Sequence, residues 1–329
     1  VDTFKSFIPQ LYPDNAGAFS DIALKLFRFQ AENNHVYKTF IQFLEMKVDK
    51  IHSINEIPFL PISFFKSHDI KSGNWTPETI FRSSGTTGQT TSSHAVADVG
   101  FYHRHAVKCF EEQFGSITNY HFLALLPSYL ERNDSSLVSM MQYFIDQSQS
   151  SHSGFYLKDI DRLLHDIENL KSDKKKVIVW GVTFALLDLA EKHDPDLSGC
   201  IIFETGGMKG RREEITRMEL HAILKSHFNV GKIYSEYGMT ELMSQAYTKG
   251  DMLFSPPKSM KIIGRDISDP LEKGLFSQTA GLNVIDLANI YSVSFIETED
   301  IGKVHADGSF EVLGRLDNSD VRGCNLLMA

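Results

Sequence analysis

The chain has 329 residues, 42% hydrophobic and 23% charged, so it is long enough to bury a sizeable core and has the make-up of an ordinary folded protein. A net charge of -9 argues against nucleic acid and acidic membrane surfaces as partners, while leaving room for a local basic pocket. No apolar run is long enough to span a bilayer, and the opening VDTFKSFIPQLYPDN lacks the pattern of a secretory signal.

In chain order, FSDIALKLFRFQAEN and VYKTFIQFLEMKV come first, both rich in Phe or Tyr and apolar at helical spacing. Pro58 and Pro61 in IPFLPISFFKSHDI interrupt that pattern and predict an extended connection. A polar patch, FRSSGTTGQTTSSH, runs from Phe81 to His94 and reads either as a flexible loop or as a ligand cradle. Helix and strand signals then alternate. The helix GFYHRHAVKCFEEQF precedes the apolar run YHFLALLP, and the helix SSLVSMMQYFIDQ precedes the strand VIVWGV and the helix FALLDLAEKH. CIIFETGG leads to the helix REEITRMELHAILKSHF, and KIYSEYG to the helix candidate TELMSQAYT. Repeated strand-then-helix units predict a parallel sheet covered by helices. From about Phe254 the pieces KIIGRD, VSFIETEDIG and SFEVLGRLD predict a β-rich subdomain. The expected division is a helical region 1–80, an α/β core 81–253 and a β-rich part 254–329 with a short tail.

Cys109, Cys200 and Cys324 lie too far apart for a disulfide framework or a zinc pattern, and a reducing cytoplasm is the expected location. In SSGTTGQTT, Gly85 and Gly88 let backbone amides approach an anionic ligand, and Ser83, Ser84, Thr86, Thr87 and Thr90 add hydroxyl donors. No Gly-Lys-Ser/Thr follows, so it is not a Walker loop. In YSEYGMTE a strand ends at a Gly turn, the place where open parallel sheets bind ligands. Tyr237 suits a base, Thr240 a phosphate oxygen and Glu241 a magnesium ion; packing and helix capping account equally for each residue taken singly. Asp300, after a strand, and Arg315, in the turn GRLDN, suit a ribose diol or form an ordinary surface ion pair. His103 and His105 fall on different sides of their helix with no ligand cluster nearby, so no metal site is read there and both are expected at the surface.

The ordered set of Gly/Ser/Thr loop, ETGG, YGMTE, TED and GRLDN resembles the acyl-adenylate-forming superfamily, which includes acyl-CoA ligases, luciferases and peptide-synthetase adenylation domains. The resemblance runs from about Phe81 to Arg322 and implies the large N-terminal α/β domain of those enzymes, with helix-flanked sheets and a C-terminal β-rich subdomain. It also implies ATP and Mg²⁺. Ser83, Ser84, Gly85, Thr86, Thr87 and Gly88 would grip the phosphates, and Gly206, Gly207, Tyr237 and Gly238 would border adenine. Thr240 would contact the α-phosphate, Glu241 would serve Mg²⁺, and Asp300 with Arg315 would hold the ribose. Two departures stand out: GQTT replaces the common Gly-x-Pro-Lys, and TED replaces Thr-Gly-Asp. Lys209, Arg211 and Arg212 are candidates to replace the missing lysine, or simply a solvated basic helix start.

The chain stops at Ala329, and no counterpart of the relatives' mobile C-terminal domain is read after Arg315. A short adenylating chain of this kind is most similar to the LuxE-type acyl-protein synthetases, on IPFLPISFFKSHDI, FRSSGTTGQ, LPSYLERNDSSLV, FETGGMKGRR, YSEYGMTELMSQAY and GRLDNSDVRGCNLL. That likeness implies a fatty acid substrate, transfer of the acyl group to Cys324, and a protein acceptor such as an acyl reductase. Arg322 beside it would favour a thiolate, and Gly323 would give the tail freedom to swing. Trp180, Gly181, Val182, Thr183 and Phe184 are the expected wall of the acyl pocket, although such residues equally make core. The competing readings are an acyl- or aryl-CoA ligase without its C-terminal domain, and a non-catalytic nucleotide-binding relative.

Overall fold

The structure is a computed structural model that describes residues 2–84, 90–127, 132–206, 215–269 and 271–316. The chain divides into two compact units, one of residues 1–74 with 258–329 and one of 75–257. The terminal stretches, read above as separate regions, therefore build one unit together.

The first unit begins with α1 (Asp2–Phe7), α2 (Ala16–Asn33) and α3 (His35–Phe43). The Asn15 side chain accepts from the Ala18 amide and Asn34 from the Tyr37 amide, each satisfying a first-turn donor that has no partner within its helix. The proline-broken stretch is extended as β1 (Leu60–Pro61), followed by a single turn, α4 (Phe64–Ser67).

The second unit opens with a hairpin of β2 (Thr79–Arg82) and β3 (Ser93–Val96). It continues through α5 (Val99–Phe114), β4 (Tyr120–Leu125), α6 (Ser136–Gln147), β5 (Gly154–Phe155), α7 (Ile160–Leu170) and β6 (Lys176–Val182). Then come α8 (Thr183–His193), β7 (Ile201–Thr205), α9 (Arg217–Phe228), β8 (Ile233–Tyr237), β9 (Ala246–Thr248) and β10 (Phe254–Ser255). Its sheet runs β5-β4-β6-β7-β8-β9-β10, parallel as far as β8 and antiparallel after it. The aromatic core lies on one face. Trp180 stacks on Phe203 with centroids 4.4 Å apart, and Phe110, Phe144 and Tyr247 close around them.

One expected element is different. TELMSQAYT is a turn followed by β9, not a helix. The Leu242 amide bonds the Met239 carbonyl, the chain reverses, and Tyr247 lies opposite Glu236 in an antiparallel pair. Burying Tyr247 among Phe110, Trp180 and Phe203 outweighs the helix propensity of a short segment.

The chain returns to the first unit as β11 (Met260–Arg265), β12 (Lys273–Leu275), β13 (Thr279–Asp286), β14 (Phe295–Val304) and β15 (Phe310–Arg315). These form an antiparallel run in the order β12-β11-β13-β14-β15, with β1 parallel to β14. Phe27, Tyr37 and Phe59 pack on Phe295, so the N-terminal helices supply the core of this β-rich part. No helix among the described residues is long and apolar enough to cross a membrane.

Candidate active site

In the 75–257 unit the carboxyl ends of β6, β7 and β8 lie side by side, with Val182 opposite Thr205 and Thr205 opposite Glu236. Successive residues of a strand face opposite sides of the sheet, so the charged positions here divide between faces. Glu204 takes one side. Its carboxylate is buried and accepts from Arg217 Nε at 3.0 Å, with His221 Nε2 at 3.7 Å. Burial pushes the Glu204 carboxyl up, but bonding to His221, the Arg217 charge and the Ser235 hydroxyl together hold it below its ordinary value. Glu236 takes the other side, and the Thr205 hydroxyl donates to its carboxylate.

The loops that leave these strands are tied to one another. Thr183, first residue of α8, donates its hydroxyl to the Gly206 carbonyl at 2.5 Å. Gly206 has φ +70°, the left-handed region where glycine carries no Cβ penalty. After β8, Gly238 sits over the Glu236 carboxylate, and a Cβ at 238 would collide with it. Tyr237 is buried and packs against Phe254 at 5.8 Å, while the Arg217 guanidinium lies 5.0 Å from the same Phe254 ring. One arginine thus braces the end of β7 and the aromatic pair at the end of β8.

Thr240 and Glu241 follow in the turn, Thr240 half-buried and Glu241 buried. The Thr240 carbonyl is 2.8 Å from His94 Nδ1 in β3. Burial pulls His94 down to about 4, opposed by the bond to Thr240, so the ring is neutral at pH 7. A carbonyl only accepts, which places the ring proton on Nδ1. Glu241 therefore stands in a turn anchored from β3 rather than in a first helical turn. Among the described residues no group of three or more His, Cys, Asp or Glu side chains could hold a metal.

The Gly/Ser/Thr segment is the connection of the β2–β3 hairpin. Ser83 closes its neck: its amide bonds the Ser92 carbonyl at 3.1 Å, and its hydroxyl accepts from the Ser92 amide at 2.9 Å. Ser84 is exposed beside it. Gly85, Thr86, Thr87 and Gly88 lie outside the described residues, as do Gly207, Lys209, Arg211, Arg212, Arg322, Gly323 and Cys324.

Of the expected acyl wall, Trp180, Gly181, Val182 and Thr183 are buried and Phe184 is half-buried. A Cβ at Gly181 would come within 2.8 Å of Leu186, so glycine there lets α8 pack tightly on the sheet. Asp300 and Arg315 belong to the other unit. They lie opposite each other in β14 and β15, and Arg315 Nε donates to the Asp300 carboxylate at 3.0 Å. Asp300 is buried, whereas the Arg315 side chain is 67% exposed. His105 also departs from expectation: it is buried, 2.8 Å from the Ser244 hydroxyl, and burial lowers it to about 3.

Sequence reading passed over Glu204, Thr205, Arg217, Glu236 and His94. Charges near the ends of the apolar strands CIIFETGG and KIYSEYG were the available signal for the two glutamates. Nothing local marks His94 or Arg217.

No family model and no curated protein matches the chain. Solved structures do match in fold. An open conformation of 2-hydroxyisobutyryl-CoA ligase, in complex with 2-HIB-AMP and CoA, superposes with a TM-score of 0.67 at 11% identity, over 94% of this chain and 78% of that one. ATP-bound MatB from Rhodopseudomonas palustris gives 0.53 at 15% identity, over 72% of this chain and 47% of that one. O-succinylbenzoate coenzyme A synthetase (MenE) from Bacillus subtilis, in complex with AMP, gives 0.51 at 17% identity, over 74% and 50%. The chain spans about half the length of MatB and MenE. The mixed α/β fold is that of the large N-terminal domain of adenylate-forming enzymes.

Proposed function

We propose that this chain activates a carboxylic acid with ATP, forming an acyl-adenylate and pyrophosphate, and then passes the acyl group to the thiol of Cys324. The observation that carries the reading is the convergence of Thr183, Gly206, Tyr237, Gly238, Thr240 and Glu241 at the carboxyl ends of neighbouring strands in one unit. That is where open sheets of parallel strands bind nucleotides. The fold is one whose solved examples include proteins bound to ATP, AMP and an acyl-AMP.

The roles follow from chemistry. Ser84, Gly85, Thr86, Thr87 and Gly88 would donate to the phosphates, with Ser83 holding the hairpin neck. Gly206, Gly207, Gly238 and Tyr237 would border adenine, with Phe254 and Arg217 behind the tyrosine ring. Asp300 with Arg315 would hold the ribose diol. Thr240 would donate to the α-phosphate. Glu241 offers a single hard oxygen ligand, which fits Mg²⁺, an ion commonly held by one or two carboxylates together with substrate phosphates. When bound there, the ion would offset negative charge on the phosphate oxygens.

The substrate carboxylate is already ionised at pH 7, so no general base is required. One of its oxygens attacks the α-phosphorus in line, the bond to the bridging oxygen breaks, and pyrophosphate leaves with the electron pair. Pre-placed donors are worth most where that charge grows. The Cys324 thiolate then attacks the acyl carbon and AMP departs, leaving a thioester for a protein acceptor such as an acyl reductase. Val182 and the half-buried Phe184 would offer an apolar wall suited to a fatty acyl chain, whereas Trp180 packs in the aromatic core.

Incubation with ATP and a labelled fatty acid tests this reading. The expected result is AMP release and a hydroxylamine-labile label on the protein, absent in Cys324→Ala. Label leaving instead as acyl-CoA, only when CoA is added, would establish a CoA ligase.

A further inference from the structure

The ladder between β13 and β14 is interrupted at one place. Gly281 lies opposite Ile301 and Asn283 opposite Glu297, so a step of two residues on β13 faces a step of four on β14. Thr298, Glu299 and Asp300 thus face the single residue Leu282, a β-bulge that ends on the residue assigned to the ribose. Bulges bend a strand and re-aim its side chains, but they free backbone groups that need new partners.

Here those partners come from other parts of the unit. The Thr298 hydroxyl donates to the Leu282 carbonyl at 2.7 Å and accepts from the Asp300 amide at 3.1 Å. The Thr298 carbonyl accepts from Arg265 Nη2 at 2.8 Å, and the Glu299 carbonyl from the Leu316 amide at 2.7 Å. Arg265 is 3% exposed and lies opposite Gly281 in β11. A Cβ at 281 would collide with its guanidinium, so the glycine is what admits the arginine to the bulge. Its nearest carboxylate, Glu297, is 3.6 Å away, too far for a hydrogen bond. The close bond of this buried cation is to the Thr298 carbonyl.

We propose that Thr298 and Arg265 are positioning residues that fix the Asp300 carboxylate for recognition of the ribose hydroxyls, without touching the nucleotide themselves. The inference rests on the assignment of Asp300 to the ribose. Loss of either residue lets the bulge relax into other registers, and Asp300 then spends less time in its binding geometry. That weakens nucleotide binding and leaves the chemistry of bound substrate intact.

The test is acid-dependent pyrophosphate exchange with ATP and with 2′-deoxy-ATP, on the full chain. Thr298→Val should raise KM for ATP by about tenfold with kcat within about twofold, and should lose most of the preference for ATP over 2′-deoxy-ATP. Thr298→Ser, which keeps the hydroxyl, should behave as the parent. Arg265→Met should resemble Thr298→Val. Asp300→Asn should lose the preference by itself, and adding Thr298→Val to it should change nothing more. If Asp300→Asn loses the preference while folded Thr298→Val retains it, the positioning role is wrong and the ribose assignment stands. If Asp300→Asn keeps the preference, the ribose assignment fails and the inference falls with it.

Discussion

The two units place their key side chains by opposite means. In the 75–257 unit the sheet is regular, and Thr183, Gly206, Tyr237 and Glu241 sit where strands end or just beyond. In the other unit Asp300 lies inside a strand, and it is the interruption of that strand that sets it apart. Strand ends leave backbone groups free for a ligand, so there the remaining task is to stabilise buried charge. An interrupted strand leaves groups free that must be satisfied by protein. Glu204 with Arg217 answers the first demand and Thr298 with Arg265 the second.

The comparison can be broken most severely at Glu241. Glu241→Gln is isosteric and should lower acid-dependent exchange by on the order of 10²–10³, the usual cost of removing one group that stabilises transition-state charge. Its melting temperature should stay close to that of the parent; a large fall would make Glu241 a structural residue.

Next in size is Glu204→Gln, which leaves Arg217 partly buried without its anion. Removing one partner of a buried pair costs about 3–5 kcal/mol, and the low end applies because Arg217 keeps some exposure. Urea denaturation checks this. Both tryptophans, Trp75 and Trp180, lie in the same unit, so their fluorescence reports on it directly.

Acid should act on that unit too. His94 is held at about 4 in the folded state, below the ordinary histidine value. Below about pH 6.5 the unfolded chain takes up a proton that the native ring refuses. The stability tied to neutral His94 is therefore complete above pH 7 and is lost as pH falls from about 6.5 towards 4, by on the order of 3 kcal/mol. His94→Asn keeps a donor for the Thr240 carbonyl and should flatten part of this fall in a pH series of melting temperatures. An unchanged acid limb would show that His94 does not titrate this way.

A smaller effect is expected at the bulge. Gly281→Ala should cost about 1–3 kcal/mol, because the new methyl displaces Arg265 from the Thr298 carbonyl. The loss should appear as weaker ATP binding in titration calorimetry, together with a lowered melting temperature.

What the sequence disclosed divides along the same line. Helices α2, α5, α6 and α8 follow from apolar spacing, and the parallel order follows from alternation of strand and helix. The strand-end residues were visible because Gly, Tyr, Thr and Glu crowd together at the turn. Tyr247 misled, since AYT is too short to show a period of two against the apolar residues before it. VIVWGV is apolar on both faces, so periodicity could not tell a pocket wall from core, and Trp180 is fully buried. The bulge was illegible: TED marks an Asp, but the arginine and glycine that hold it lie on other strands.

The most direct test of acid activation is carboxylate-dependent exchange of labelled pyrophosphate into ATP by the purified full chain. Label should enter ATP only when acid and Mg²⁺ are both present, and Glu241→Gln should slow its entry by on the order of 10²–10³. Bound ATP with no exchange across a series of fatty and aromatic acids would contradict adenylation and leave a nucleotide-binding protein.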